Sequence, residues 1–341
     1  MNLPASRVPH PSTAPAIRWG ILAPGGIAHS FADALRKHSL QEIVAVGSRS
    51  AERAAGFADE FGIAAHYDSY EALVADGNVD AVYVASPHSH HAEQALLAIE
   101  AGKHVLVEKA FTPTAAQARR VVEAARAADV TLMEAMWSRF LPHYDVIRQL
   151  LADGALGDIE TLVADHGQWF AFDPESRLFN PALAGGAMLD LGVYPVSFAS
   201  FALGTPGRIR AVGTPAETGV DRQVSMVLDG YQAHPHAQAL VNTTLASRTP
   251  TTASISGSDG RIEGPGPFYA PQSIRFVPRE GEPVSSPEPE IRGHEGLAYQ
   301  AAHFAQLVTE GRRESDLLPL EETISIVETM EDTIRAALQH L

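Results

Sequence analysis

The sequence predicts an α/β protein, with an N-terminal Rossmann domain on a parallel sheet followed by an α+β domain with a mostly antiparallel open sheet. Three observations predict it. Short apolar runs alternate with Ala-rich segments of helical period from residue 17 to about 135, the rhythm of strands covered by helices on both faces. A tight small-residue turn links the first strand to the first helix. Past residue 136 the strand-like runs follow one another with gaps too short for a crossover, which suits antiparallel pairing. With 341 residues the chain is long enough to bury two cores.

In chain order, MNLPASRVPHPSTAPA lacks the apolar centre of a secretory leader and reads as a disordered tail over residues 1–16. The Rossmann domain is expected over 17–135. Its strands are IRWGIL, EIVAVGS, VDAVYVAS, HVLVEK and VTLMEA, and residues 51–61, 89–101 and 114–128 carry the helical period. The second domain is expected over 136–341. Helices near 139–152 and 187–203 precede the strands RIRAVGT, RQVSMVLDG, AQALVNTTL and TASISGS. Residues 257–295, dense in Gly, Pro and Glu, read as a loop excursion around short strands, and helices near 296–310 and 320–340 close the chain. No run appears long enough to span a bilayer, so a cytoplasmic protein is expected.

The balance of 41 acidic to 25 basic residues gives a formal charge of -16, which repels nucleic acid and anionic membranes. The complete lack of cysteine excludes disulfides, thiolate catalysis and Cys-ligated zinc.

In IRWGILAPGGIAHSFADAL, Ala23, Gly25 and Ala28 fall on the G-x-G-x-x-G/A fingerprint of dinucleotide turns, with Gly26 and Ile27 between them. Gly25 lets backbone approach a pyrophosphate at a helix N-terminus, and Ala28 permits close helix-to-strand packing. The first glycine is replaced by Ala23. After the second strand, where NAD enzymes carry an acid beside the ribose, stand Ser48 and Arg49. A hydroxyl and a guanidinium suit a 2′-phosphate, which favours NADP, with NAD the alternative.

Lys109 follows HVLVE at the carboxyl end of a parallel strand, where ligands collect in such sheets. In AGGAMLDLGVYPV, Asp190 and Tyr194 stand four residues apart among small and apolar neighbours, on one face if the segment is helical. Pro195 means that the segment either enters its helix near Tyr194 or kinks there. Together with a cofactor domain these residues form an acid-base set. A phenol of ordinary pKa about 10 is only about 0.1% ionised at neutral pH. Lowering it by roughly 2 to 3 units takes about 3 to 4 kcal/mol, which one ammonium near 4 Å supplies at an effective dielectric of about 20. Each residue has a plain structural alternative: a solvated lysine, a helix-capping aspartate, a core tyrosine.

His88, His90 and His91 invite a metal reading, but adjacent imidazoles diverge and no nearby carboxylate completes a set, so no metal is expected. Ser86 and His88 are assigned to the cofactor cleft. Trp137 and Arg139 stand just after the last Rossmann strand, candidates for the cofactor, with Trp137 also for substrate. His166 and Phe170, with Trp169 beside them, would suit a hydroxylated ring.

The order of WGILAPGGIA, VGSRSAERA, AGKHVLVEKA, MEAMWSRF and GGAMLDLGVYPV resembles the Gfo/Idh/MocA oxidoreductases, above all their dimeric dihydrodiol dehydrogenase and glucose-fructose oxidoreductase branch, over about residues 17–340. The most specific part is Glu108-Lys109 together with D-x-x-x-Y at 190–194. The resemblance implies dimerisation through the C-terminal sheet, Lys109 and Tyr194 as the catalytic pair, with Tyr194 where many relatives have histidine, and Asp190 orienting substrate. It places Glu108 beside the cofactor and matches His91 to a recurrent histidine of structural or cofactor-side role. The family's E-K-P is E-K-A here, so Ala110 replaces a proline.

The expected activity is hydride transfer between NADP and a secondary alcohol or carbonyl of a sugar, polyol or cyclic trans-diol. The alternatives are an aldose-aldose oxidoreductase that retains its nucleotide and a non-catalytic nucleotide-sensing regulator. A methyltransferase using the same glycine turn is disfavoured by the Lys and Tyr set.

Overall fold

The computed structural model describes residues 3–339. The chain divides into two compact units, one formed by Pro9–Phe140 with Gly293–Ile324, the other by the segment up to Val8, Leu141–Arg292 and the chain from Ser325.

In the first unit six strands, β1 (Arg18–Leu22), β2 (Glu42–Gly47), β3 (Ala65–Tyr67), β4 (Ala81–Val84), β5 (His104–Glu108) and β6 (Leu132–Ala135), form one sheet in the order β3-β2-β1-β4-β5-β6. All pair in parallel. The sequence order reverses between β1 and β4, which opens a crevice at their carboxyl ends. The crossovers carry α1 (Gly26–His38), α2 (Ala51–Phe61), α3 (Tyr70–Val74), α4 (His91–Glu100) and α5 (Ala115–Ala127). Ser50, Ser69 and Thr114 cap α2, α3 and α5 by accepting from the amides of Arg53, Ala72 and Gln117. The central strands are apolar because both faces are covered: Ile21, Val82 and Leu106 are all fully buried.

The expected boundary at 135/136 needs correcting. The segment Gly293–Ile324 belongs to the first unit, because α8 (Leu297–Thr309) lays its apolar face there and puts Phe304 5.3 Å from Trp19. The Trp19 indole N–H is satisfied by Gln41 Oε1 at 3.0 Å. The described part of the expected disordered tail is instead packed. Arg7 pairs with Asp145 at 2.7 Å, and Pro11, Ala14 and Ile17 are buried.

In the second unit eight strands form a sheet in the order β14-β13-β12-β11-β7-β10-β9-β8. They are β7 (Ile159–Gly167), β8 (Arg208–Pro215), β9 (Asp221–Asp229), β10 (Gln238–Thr244), β11 (Ala253–Gly257), β12 (Gly260–Gly264), β13 (Arg275–Pro278) and β14 (Val284–Ser285). Only the β7–β10 pair is parallel. The sequence reading passed over β7, although it is central. Also here are α6 (Pro142–Ala152), α7 (Val193–Leu203), which packs on β7 and β10, and α9 (Leu320–Leu338) from Ser325 onward. Contrary to expectation, one run, Pro181–Leu203, is long and apolar enough to cross a membrane; most of it is buried inside the protein, as suits a core helix. On the sheet's other face Val163, Val212 and Leu240 are exposed around a depression of about 490 Å³.

Candidate active site

The turn after β1 is held by Gly25 N–H donating to Ala23 O at 2.8 Å. Ala23 takes φ +66°, the left-handed region that glycine enters without strain, so the replaced glycine has left its conformation behind. A Cβ on Gly25 would meet nothing nearer than Ala23 O at 4.0 Å, and one on Gly26 nothing within 4 Å. The space above both is open, at the N-terminus of a helix whose first turn carries no acid. Ile27 follows in that turn and Ala28 is fully buried beneath it. A cavity of about 310 Å³ joins Ala23, Pro24 and Gly25 to Ser48, Arg49, Ser50 and Arg53, and to Tyr70, Ser86, His90 and Gln94. No carboxylate lines it, and Arg49 and Arg53 make no ion pair among the described residues. These groups fit a dinucleotide: open glycines and free amides for the pyrophosphate, two guanidiniums and two hydroxyls for a further phosphate. Sequence reading found Ala23, Gly25, Ser48, Arg49 and Ser86 here; it missed Arg53, Tyr70 and Gln94. The lining histidine is His90, whereas His88 is buried edge-on to His91 at 5.6 Å.

Lys109 begins the turn after β5, and its peptide bond to Ala110 is cis. Glu108 is buried; it accepts from the Tyr83 hydroxyl and, at 3.0 Å, from Lys109 N–H. His91 Nδ1 lies 2.9 Å from Ala110 O and Nε2 2.8 Å from Ser86 O. Burial holds this imidazole below its usual pKa, and the Lys109 charge acts in the same direction. Phe111 N–H donates to Glu134 Oε1 at 3.1 Å, and burial pushes the Glu134 carboxyl up to about 7.

Asp190 and Tyr194 lie in one continuous helical stretch of the second unit. Met188–Gly192 form a π-helical turn and α7 follows, so Pro195 falls in the first turn of α7 and the helix is entered before Tyr194. Pro195 has no N–H for the carbonyl of Leu191, and His166 Nδ1 takes that oxygen at 3.2 Å. The proton is thereby fixed on Nδ1, and Nε2 accepts from the Gln168 amide at 3.0 Å. The buried Asp190 is paired with Arg177 at 2.6 Å. The Tyr194 ring stacks on Tyr269, centroids 4.1 Å apart, and His166 sits 5.5 Å from the first ring and 4.7 Å from the second. Burial and the Asp190 charge raise the pKa of Tyr269.

Asp221 sets the start of this stretch. Its Oδ2 accepts from Met188 N–H at 2.6 Å, and burial pushes its carboxyl up to about 7 against the pull of the amides of Met188, Ala187 and its own backbone. An unfolded aspartate titrates near 4, so between about pH 4 and 7 the folded chain holds a proton that the unfolded chain has released. Stability therefore falls as pH rises through that window, by about 4 kcal/mol from this group, and is flat above it. Glu134 acts in the same sense; His143, pulled down to about 4 by burial, opposes both. Asp221→Asn keeps an acceptor and removes the titration. The drop in urea midpoint from pH 5 to 7.5 should be markedly smaller in the variant than in the parent, and an unaltered pH profile would clear Asp221 of it.

Other expected residues lie elsewhere. Arg139 is 3% exposed and committed to Glu322 at 2.8 Å and Leu317 O at 3.2 Å. Trp137 is buried, 6.0 Å from the His294 ring. Neither lines the cavity at the glycine turn. Phe170 packs on the core around Leu178, Phe179 and Leu191, and Trp169 is exposed. Among the described residues no group of three His, Cys, Asp or Glu side chains is placed to hold a metal. Tyr269, Arg177, Asp221 and Glu134 were not anticipated.

Residues 17–136 match the model of an oxidoreductase family with an NAD-binding Rossmann fold, GFO_IDH_MocA, and residues 144–263 match the GFO/IDH/MocA C-terminal domain. The chain belongs to the Gfo/Idh/MocA oxidoreductase family. It is similar to D-xylose 1-dehydrogenase (NADP(+)) of Hypocrea jecorina, 38% identical over 94% of this chain and 91% of that protein. To the trans-1,2-dihydrobenzene-1,2-diol dehydrogenase of Mus musculus it is 36% identical, over 94% of this chain and 97% of the relative. Its fold matches the crystal structure of aldose-aldose oxidoreductase from Caulobacter crescentus complexed with glycerol, with a TM-score of 0.82 and 25% identity over 96% and 99% of the two chains.

Proposed function

We propose that this Gfo/Idh/MocA oxidoreductase transfers hydride between NADP and a secondary alcohol or carbonyl of a sugar, polyol or cyclic trans-diol. The reading is supported by relatives named for NADP, D-xylose and dihydrodiols. The observation that carries it is the burial of Asp190 and Tyr194 in one helical stretch, ringed by Arg177, His166 and Tyr269, in a chain whose other unit holds an open glycine turn beside Arg49 and Arg53.

NADP, when bound, accepts or returns the hydride. Gly25, Gly26 and the first amides of α1 hold its pyrophosphate, and Ser48, Arg49 and Arg53 its 2′-phosphate. The Tyr194 phenolate takes the substrate's hydroxyl proton during oxidation, and the resulting phenol gives it back during reduction. The Lys109 ammonium stabilises the phenolate. Asp190, held by Arg177, accepts from a neighbouring substrate hydroxyl. The stacked rings of Tyr194 and Tyr269 exclude water from the reacting oxygen.

The test is reduction of NADP, followed by absorbance, with a panel of aldoses, polyols and trans-diols of six-membered rings. Saturable turnover with at least one class is expected. Nucleotide binding without any reduction would replace this reading with that of a regulator. Nucleotide that stays bound through gel filtration would favour the aldose-aldose variant, for which the Caulobacter crescentus likeness speaks. Arg49→Ala should weaken NADP roughly 10- to 100-fold, the loss of a charge-assisted phosphate contact, and leave NAD within about two-fold. Equal losses in calorimetric titrations would remove Arg49 from the phosphate site.

The second unit is further proposed to dimerise through its open sheet face, where Val212 is 72% exposed and Val163 and Leu240 flank it. Val212→Asp should convert a dimer to monomer in sedimentation velocity without lowering the melting temperature of the monomer. A parent that sediments as a monomer would dispose of this.

A further inference from the structure

We infer that Glu134 and His91 are positioning residues for Lys109: with Glu108 they fix the three backbone groups of the turn from which the ammonium hangs. This rests on the reading of Lys109 as the group that assists Tyr194. The turn runs Lys109, Ala110, Phe111 directly off the end of β5. Lys109 N–H goes to Glu108 Oε2 at 3.0 Å, Ala110 O faces His91 Nδ1 at 2.9 Å, and Phe111 N–H goes to Glu134 Oε1 at 3.1 Å. These partners come from β5, α4 and β6, so one turn is pinned by three elements.

Turns at the ends of strands ordinarily satisfy their backbone with water or with their own side chains. Bulk water does not reach this turn: Ala110 and Phe111 are fully buried, as are His91 at 1% and Glu134 at 1% exposure. Glu108 is itself anchored by the Tyr83 hydroxyl, and the far nitrogen of the His91 ring lies 2.8 Å from Ser86 O. Ser86 lines the cavity at the glycine turn, so one imidazole joins the Lys109 turn to the wall of that cavity. A buried acid and a buried imidazole are poor packing choices in an apolar interior. Holding a backbone in one orientation accounts for both.

The experiment compares two variants at each anchor. Glu134→Gln keeps an acceptor for Phe111 N–H, and Glu134→Met fills the same space without one. His91→Gln keeps a donor for the carbonyl of Ala110, and His91→Leu keeps none. If the residues only fill the core, Met and Leu should do at least as well as Gln. If they position Lys109, kcat should fall about 10- to 50-fold in the apolar variants and stay within about three-fold in the Gln variants, with KM and NADP affinity little changed throughout. A second readout needs no turnover. The chain has three lysines, Lys37, Lys103 and Lys109, so reductive 13C-methylation gives three lysine NMR signals beside that of the α-amino group, and Lys109→Ala identifies the one from Lys109. That signal should move in the apolar variants and hold in the Gln variants even if no sugar or diol is a substrate, which separates this inference from the proposed reaction. Equal behaviour within each pair, in kcat and in the Lys109 signal, overturns it. If the apolar variants fail to fold, the parent decides. A Phe111 amide that exchanges only with global unfolding, with a single Lys109 signal, supports the inference; fast local exchange or several Lys109 signals overturns it.

Discussion

Tyr194→Phe should lower turnover by about a thousand-fold while leaving the NADP dissociation constant within about two-fold of the parent. The size follows from removing a positioned general acid-base group, which contributes 10² to 10⁴ in rate. The selectivity follows from structure. The substitution deletes one oxygen and keeps the ring, so the stack on Tyr269 at 4.1 Å and the contact with His166 survive, and the helical stretch carrying Asp190 has no reason to move. Tyr194 is not among the residues lining the cavity at the glycine turn, whose groups are the ones proposed to hold the pyrophosphate and 2′-phosphate, so nucleotide affinity should change little. Tyr269→Phe is the matched control. Its ring lies against Tyr194, and burial and the Asp190 charge raise its pKa, so it offers even less phenolate at neutral pH than an ordinary tyrosine. Its loss should stay below about ten-fold. Stopped-flow measurement of hydride transfer would separate chemistry from product release. Comparable losses in both variants, or a larger one at Tyr269, would move the acid-base role off Tyr194.

What could be read from the sequence follows the reach of the interactions involved. The first unit was readable because each of its signals is local. Strand and helix differ in apolar period, the glycine turn stands between them, and Ser50 and Thr114 announce helix starts a few residues ahead. Strand β3 escaped because its three residues carry no period at all. In the second unit β7 was missed: ETLVADHG hides its alternation, because outward-facing Val163 is apolar and inward-facing His166 is polar, buried against the rings of Tyr194 and Tyr269 from far along the chain. The placement of α8 was misjudged for the same kind of reason, since the aromatic contact that assigns it joins Phe304 to Trp19. Within the site, Asp190 and Tyr194 stood out as polar groups in an apolar run. Tyr269 lies in a Gly- and Pro-rich segment with no pattern to mark it, and Asp221 looks like any acid at the start of a strand. Gly186 was a visible clue to Asp221 that could be interpreted only with coordinates.

Gly186→Ala should be strongly destabilising, lowering stability by about 3 kcal/mol or more and the melting temperature by roughly 6 to 12 °C. Two independent constraints meet at this residue. Its φ of +125° is a conformation that an L side chain rarely takes, and a Cβ there would lie 2.1 Å from Asp221 Oδ1. The carboxylate has little freedom to retreat, because its other oxygen accepts from Met188 N–H at 2.6 Å. Nor can the chain shift toward residue 185, where a Cβ would come within 2.6 Å of Leu178 O. Relief must therefore break the Asp221–Met188 bond, which frees the first turn of the stretch that carries Asp190 and Tyr194. The variant should lose turnover along with stability, unlike Tyr194→Phe. Asp221→Ala alone should also destabilise, but the double variant should be more stable than the sum of the two losses implies, since the clash vanishes with the carboxylate. Gly56→Ala supplies the contrast: that glycine sits inside α2 with nothing within 4 Å of its Cβ position, and the change should stabilise by about 0.5 to 1 kcal/mol. Thermal melts of the four variants at one pH check the set. A Gly186→Ala protein melting within about 2 °C of the parent, or strict additivity with Asp221→Ala, would mean that the glycine pair is not there to admit the aspartate.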